Sequence, residues 1–224
     1  MSRRRTMTKA TALAIAAGAA YGVTQWPRMT SWGATRQEAE DALPGDEVVG
    51  EAKYRTTRAV TIGAPVDEVW PWLAQLGQGR GGLYSYDWLE NAVGLHIHSA
   101  EEIIPELQDL SVGDVIRLMP VGTEPELHFV VARVEPPHLL VLGPEGTRED
   151  AFAANLPYPV WTFRLKAVGD RGTRLVVRFQ SDFKPTPLGR LMYKYALEPV
   201  HFVMERKMLL TIKERAEGAA STVP

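Results

Sequence analysis

Three sets of residues have the types and spacing to do chemistry. In Leu76–Asn91, LGQGRGGLYSYDWLEN, Gly77, Gly79 and Gly82 spell G-x-G-x-x-G, and Glu101 and Glu102 follow about where a ribose-binding acid would stand. A dinucleotide cradle needs a strand before its first glycine and a helix N-terminus after its last. Here the spacing of Val66, Val69, Leu73 and Leu76 predicts a helix in front of Gly77. The exposed carbonyls of a helix C-terminus repel anions. No cofactor is therefore expected, and the glycines read as a helix stop that leaves slack. Tyr84, Tyr86, Asp87 and Trp88 carry what chemistry remains. They suit a lid or pocket mouth, with Asp87 fixing a tyrosine or capping a helix, and equally suit packing of short helices onto a sheet.

The second set is His96-x-His98 with Asp87, Glu101 and Glu102. No closed ligand set emerges from it, so no metal is expected and these read as solvated loop residues. The chain has no cysteine, which excludes thiolate metal sites, disulfides and a thiol nucleophile. It also has no G-x-S-x-G elbow to support hydrolase chemistry. The third set is two isolated histidines. His128 alternates with Val130, Ala132 and Val134, opposite the face carrying Arg133, and is predicted to point inward. There it would bond a ligand or exchange protons near neutral pH, the alternative being a satisfied core or rim histidine. His201 falls on a helix side with Leu197, Met204 and Met208 and reads as a flanking residue.

The elements that position these residues follow from periodicity. Arg55–Ile62 is β-branched and reads as a strand. A helix opens at Pro65 and runs to Leu76, with Pro71 expected to kink or split it. A short helix is expected over Tyr86–Val93. Five strands then follow at Asp114–Met119, Leu127–Val134, Leu139–Leu142, Val160–Val168 and Thr173–Phe183. The short connections between them predict an antiparallel meander. A long helix closes the chain from Leu188 to Ala216, with Tyr195 and Phe202 on its apolar stripe and Pro199 in its middle. Strand parity puts Trp161, Phe163, Val177, Phe179, Ile116 and Leu118 on the concave face and Arg174, Arg178 and Gln180 in solvent. Such a face lines an apolar cavity or simply fills as a core.

The N-terminus differs in kind. Arg3, Arg4, Arg5 and Lys9 precede an apolar run from Ala10 to Val23, followed by Trp26-Pro27-Arg28. This predicts a single membrane segment or uncleaved signal-like helix over 1–26, with the N-terminus cytoplasmic and the domain outside. Residues 27–53 then form a connector, with a Thr35/Glu38 capping box opening a helix to about Leu43 and a turn at Pro44-Gly45-Asp46. The domain proper covers 54–217 and the last residues, 218–224, are a disordered tail. Net charge is -2 with no basic stripe, so nucleic acid is not an expected partner.

Trp32-Gly33-Ala34-Thr35, Leu43-Pro44-Gly45-Asp46, Val69-Trp70-Pro71-Trp72-Leu73, Tyr84–Leu89 and Ile104–Gln108 carry a resemblance, extended by Val112-Gly113-Asp114 and Met204–Lys207. Together with the element order, they make the chain similar to the SRPBCC superfamily of START-like and polyketide cyclase/dehydrase-like proteins, and within it to a mostly actinobacterial, membrane-anchored subgroup. The resemblance implies an α+β helix-grip fold: a curved antiparallel sheet of six to seven strands around a long C-terminal helix, with an N-terminal hydrophobic helix in addition. It implies a hydrophobic ligand (lipid, isoprenoid or polyketide-like) and carries over no catalytic residues. The expected ligand contacts are the concave-face residues with His128, Tyr84, Tyr86, Asp87, Trp88, Tyr195 and Phe202. A cyclase- or dehydratase-type enzyme using His128 or Asp87, and an interaction module with a filled core, remain the alternatives.

Overall fold

A computed structural model describes residues 25–220, except 93, 95, 123–125 and 185. The expected apolar segment at 10–23 and the last four residues lie outside the described residues. Among the described residues no helix is long and apolar enough to cross a membrane.

Three short helices come first: α1 (Trp26–Thr30), α2 (Arg36–Glu40) and α3 (Asp46–Val49). Strand β1 (Tyr54–Ile62) leads to α4 (Val66–Ala74) and α5 (Asp87–Ala92). The meander β2 (Val115–Arg117), β3 (His128–Glu135), β4 (Leu139–Gly143), β5 (Tyr158–Val168) and β6 (Gly172–Asp182) follows, with α6 (Arg148–Ala153) between β4 and β5. The chain closes with α7 (Pro187–Met192), a wider π-type turn (Tyr193–Leu197) and α8 (Glu198–Ala220). Six strands among the described residues form one antiparallel sheet in the order β1-β6-β5-β4-β3-β2. Helix α8, 23 residues or about 35 Å long, spans its inner face. This is the helix grip.

Period-2 alternation explains the core. Val60 and Ile62 of β1, Phe163 and Leu165 of β5, and Leu175 and Val177 of β6 meet Met208, Leu209, Ile212 and Ala216 of α8. Val69, Leu73 and Leu76 of the α4 segment close one end. Pro71 neither splits nor ends α4, because Val69, Trp70 and Leu73 pin it to the core on both sides of the proline. Pro199 follows directly on the wider π-type turn, the kind of local irregularity that accommodates a residue without an N–H inside a helix. The expected long helix is present: α7, the π-type turn and α8 run on without interruption from Pro187 to Ala220.

The outer face of the sheet is not solvated. Arg178 and Gln180 are fully buried under residues 27–53, which fold onto the sheet. Arg178 donates to the carbonyls of Glu38 (2.8 Å), Ala39 (3.2 Å) and Asp41 (2.9 Å), capping the open end of α2, and pairs with Asp46 at 2.6 Å. Arg174 grips Glu38 through both oxygens at 2.8 and 2.7 Å. These bonds hold that carboxyl down at about 2. Ala59 N–H donates to Trp32 at 3.0 Å, and a Cβ on Gly33 would sit 2.1 Å from the Ala59 carbonyl oxygen, so only glycine allows this approach. The connector is thus a second layer of the domain. The capping box of Thr35 and Glu38 forms as expected, while Gly45, at φ 96°, ends the turn and starts α3.

Arg178→Ala should lower unfolding stability by about 3–5 kcal/mol, because it removes the charged partner of Asp46 and the donor to three carbonyls at the end of α2. Urea denaturation measures this as a lower midpoint; an unchanged midpoint would show that the outer layer is not held this way.

Candidate functional site

The inward parity of β1 continues beyond Val60 to Arg58, Thr56 and Tyr54. Positions 198, 201 and 205 of α8 share one helix side that continues into Met208 and Ile212. The grip therefore closes on polar residues at one end of the sheet. Arg58 is fully buried between two carboxylates: Nη2 donates to Glu198 at 2.8 Å, and Nη1 bonds Glu205. Its Nε donates to the Met29 carbonyl at 2.8 Å. The Tyr54 hydroxyl donates to Glu198, and Trp161 Nε1 donates to Glu205 at 2.8 Å. His201 stands among them, with Nδ1 3.4 Å from both Tyr54 Oη and Arg58 Nη1 and Nε2 3.4 Å from Glu205.

Burial alone would raise the Glu205 carboxyl. The positive charge of Arg58, then the charge of and hydrogen bonds from His201 and Arg58, outweigh it and hold Glu205 at about 2. Burial, followed by the charge and hydrogen bond of Glu198, pushes the Tyr54 phenol well above its ordinary range. For Arg58, burial acts to lower the guanidinium pKa, but the two carboxylates raise it, so it stays charged. The arrangement is a permanent buried cation with carboxylates on two sides and tyrosine, tryptophan and histidine as further neighbours.

A cavity of about 80 Å³ opens beside this cluster, lined by Leu83, Ser85, Trp161, His201, Met204, Glu205 and Met208. Its walls are almost wholly apolar, and Glu205, His201 and Ser85 supply its polar groups. Ser85 ties the loop before α5 to α8 by donating to the Met204 carbonyl at 3.1 Å. A larger groove of about 360 Å³ lies on the other side of the sheet, by Pro44, Glu135, His138, Arg164 and Lys166. It gathers no comparable set of buried groups.

Trp161 lines the cavity, and Phe179 stacks beside it, with its ring 6.5 Å from Trp161 and 4.8 Å from His201. Phe163, Val177 and Ile116 are in the packed core, with Leu118 at its edge. Phe202 lies under Arg58, whose guanidinium carbon is 5.5 Å from the ring centre. Tyr195 is exposed on the π-type turn beside Lys194.

His128 does not point inward. Phe129 and Val131 take the core positions of β3, and His128 Nε2 meets Glu145 at 3.1 Å on the other side. A bulge between Val131 and Arg133 shifts the alternation, so Val134 rejoins the core and parity counted back from it fails at His128. Asp87 accepts from both the N–H (2.7 Å) and the hydroxyl (2.6 Å) of Ser99, which fixes the loop rather than a tyrosine. Tyr84 is buried against Trp72 and Arg215. Tyr86 and Trp88 pair edge to face, with Trp88 70% exposed.

The glycine run is not slack: Gly77 and Gly82 exchange backbone hydrogen bonds at 2.9 Å and close a tight bridge. A Cβ on Gly81 would meet Gln75 and the Tyr84 hydroxyl at 2.7 Å. Among the described residues, no cluster of histidines and acids is arranged to hold a metal.

No family model matches the chain, and no curated protein matches it. Solved structures share its sheet-and-helix arrangement at low identity. The aromatase/cyclase ZhuI from Streptomyces sp. R1128 is 19% identical with a TM-score of 0.44, over 75% of this chain and 95% of that one. Norcoclaurine synthase from Thalictrum flavum, solved with dopamine and hydroxybenzaldehyde, is 15% identical with a TM-score of 0.43, over 82% and 95%. A polyketide-cyclase-like protein from Corynebacterium glutamicum is 15% identical with a TM-score of 0.37, over 74% and 93%. Likeness at this level goes no further than the fold, and the site rests on its own atoms.

The buried carboxylate ties stability to pH. With its folded pKa near 2 against an ordinary 4.5, Glu205 contributes stability in full above about pH 4.5 and loses it as pH falls toward 2. Urea midpoints of the chain should therefore drop across that window, and Glu205→Gln should flatten part of the drop. Parallel profiles for the two proteins would contradict the charge pairing.

Proposed function

We propose that the chain binds a small apolar molecule by one end, in the cavity between β5 and the first half of α8. The observation that carries this reading is a void with apolar walls that runs onto a charged, fully buried carboxylate. At about 80 Å³ it is far below the roughly 300–1,000 Å³ of a pocket that encloses a whole ligand. It takes the head of a longer molecule, or widens as Met204 and Met208 repack, since methionine side chains adapt readily. Glu205 on the wall favours a head that donates a hydrogen bond, a hydroxyl or an ammonium, and disfavours an acid. A lipid alcohol, an isoprenoid or a polyketide-like phenol has that form.

A second reading, a cyclase- or dehydratase-type enzyme, draws on the convergence of His201 and Glu205 at one cavity, with Tyr54 behind His201. In that reading His201 exchanges the proton, and His128 and Asp87, which face elsewhere, take no part.

Residues 10–26 supply the membrane attachment in this proposal, with the domain on the extracytoplasmic side. A ligand taken from the bilayer then has a short path to the cavity. Alkaline carbonate should leave the full-length chain in the membrane fraction; release into the wash would remove this attachment from the proposal.

Native mass spectrometry of the detergent-extracted chain tests binding directly. It should show a co-purifying apolar compound, and Met204→Trp, which fills the cavity, should cut its occupancy by at least about tenfold. Unchanged occupancy in that variant sinks the assignment. His201→Gln separates the readings, because a carrier keeps its ligand at unchanged turnover of zero, whereas an enzyme keeps binding and loses a measurable conversion.

A further inference from the structure

Helix α8 reverses its polarity along its length. From Met208 to Ala216 it is an ordinary amphipathic helix, with Met208, Leu209, Ile212 and Ala216 buried. Between 197 and 205 the pattern is inverted: Glu198 and Glu205 are buried, while Leu197, Val200 and Val203 are exposed, Val200 at 61%. The inversion continues backwards through the π-type turn into α7, where Leu191 is 57% and Met192 48% exposed. Apolar residues on an outward helix face are expected where the surroundings are not water.

The charge on this segment is one-sided. From Phe183 to Met204 the basic residues are Lys184, Arg190 and Lys194, and the sole acid is Glu198, which is buried against Arg58. The face offered to the outside is thus apolar and basic, the composition of a helix that lies in the headgroup region of an anionic bilayer. Trp26, near the start of the described residues, lies at the same place. Lys194 Nζ sits 5.6 Å from the Trp26 ring, and Trp26 is only three residues beyond Val23, the end of the apolar run 10–23.

We infer that the exposed face formed by α7, the π-type turn and the first two turns of α8 docks on the surface of an anionic lipid bilayer. The domain then lies against the membrane rather than hanging from a tether. Glu198 and Glu205 lie on the side of α8 opposite Val200 and Val203, so docking leaves the cavity on the inner side of the helix. The inference rests on the membrane attachment proposed above, and its test separates the two.

Because the chain has no cysteine, single-cysteine variants can each carry one label. Full-length Leu191→Cys and Val200→Cys, with Val168→Cys at the exposed end of β5 as the control, are labelled with an environment-sensitive fluorophore. They are then reconstituted into phosphatidylcholine vesicles with or without phosphatidylglycerol. Brominated acyl chains should quench labels 191 and 200 by about twofold or more and leave label 168 unchanged, and omitting phosphatidylglycerol should weaken the effect. Labels 191 and 200 left unquenched on a chain that floats with the vesicles overturn docking while attachment stands. Labels shielded from aqueous iodide yet unquenched by bromine show a face covered by protein, whether residues 10–23 or a second copy, and likewise overturn it. A chain that does not float overturns attachment and docking together.

Discussion

The grip of sheet on helix depends on one buried arginine. Arg58 has no solvent exposure and reaches two carboxylates of α8, one turn-pair apart. Such an arrangement adds little net stability over an apolar core of the same shape, because both charges lose their hydration. Its effect is on register. Sliding or rotating α8 on the sheet would separate the arginine from Glu198 or Glu205, and an unpaired charge in that interior costs several kcal/mol. Apolar contacts around Leu209 and Ile212 tolerate small displacements; the ion pairs do not. The helix is held in one position and one rotation, and the positions of His201, Met204 and Met208 follow from that.

The pairing is also unequal, and this shapes what the cavity can do. One guanidinium faces two carboxylates, and the difference is met by neutral donors: Tyr54 to Glu198 and Trp161 to Glu205. The site therefore keeps a surplus of acceptor character at its centre. A molecule that brings a donor improves the balance, whereas a molecule that brings an anion worsens it. In the proposed binding this preference would come from the same groups that lock the helix, so changing Glu205 for a ligand would also loosen the grip.

The regular parts of the fold were legible because they follow simple periods. All six strands lie within a few residues of their expected bounds, as the β-branched runs and turn residues dictate. The site was not legible, for three separate reasons. Arg58 lies two residues from Val60 and four from Ile62 on the inward parity of β1, but an arginine in a strand is taken as solvent-facing by default. Arg178 escaped in the same way on the other face, because nothing in β6 announces that residues 27–53 will cover it. His128 was misdirected by a one-residue bulge, which leaves composition unchanged while reversing every side chain beyond it. The signal that could have found the site was the i, i+3, i+7 spacing of Glu198, His201 and Glu205 in line with Met208 and Ile212. A stripe whose polarity changes while its spacing persists means that the interior, not the helix, has changed character.

That change of character accounts for both sides of α8 at once. A buried charged cluster takes up the inward positions of the first turns, so apolar residues at this level can only lie outward or at the edges. In water such a segment would be better served by polar residues at 191, 197, 200 and 203, each a substitution with no cost to the core. The chain instead has Leu, Leu, Val and Val there, with Arg190 before them, Lys194 between them and no exposed acid. The polar interior and the apolar exterior are consistent with a single arrangement, in which a ligand donor group meets Glu205 on one side of the helix while lipid meets Val200 on the other.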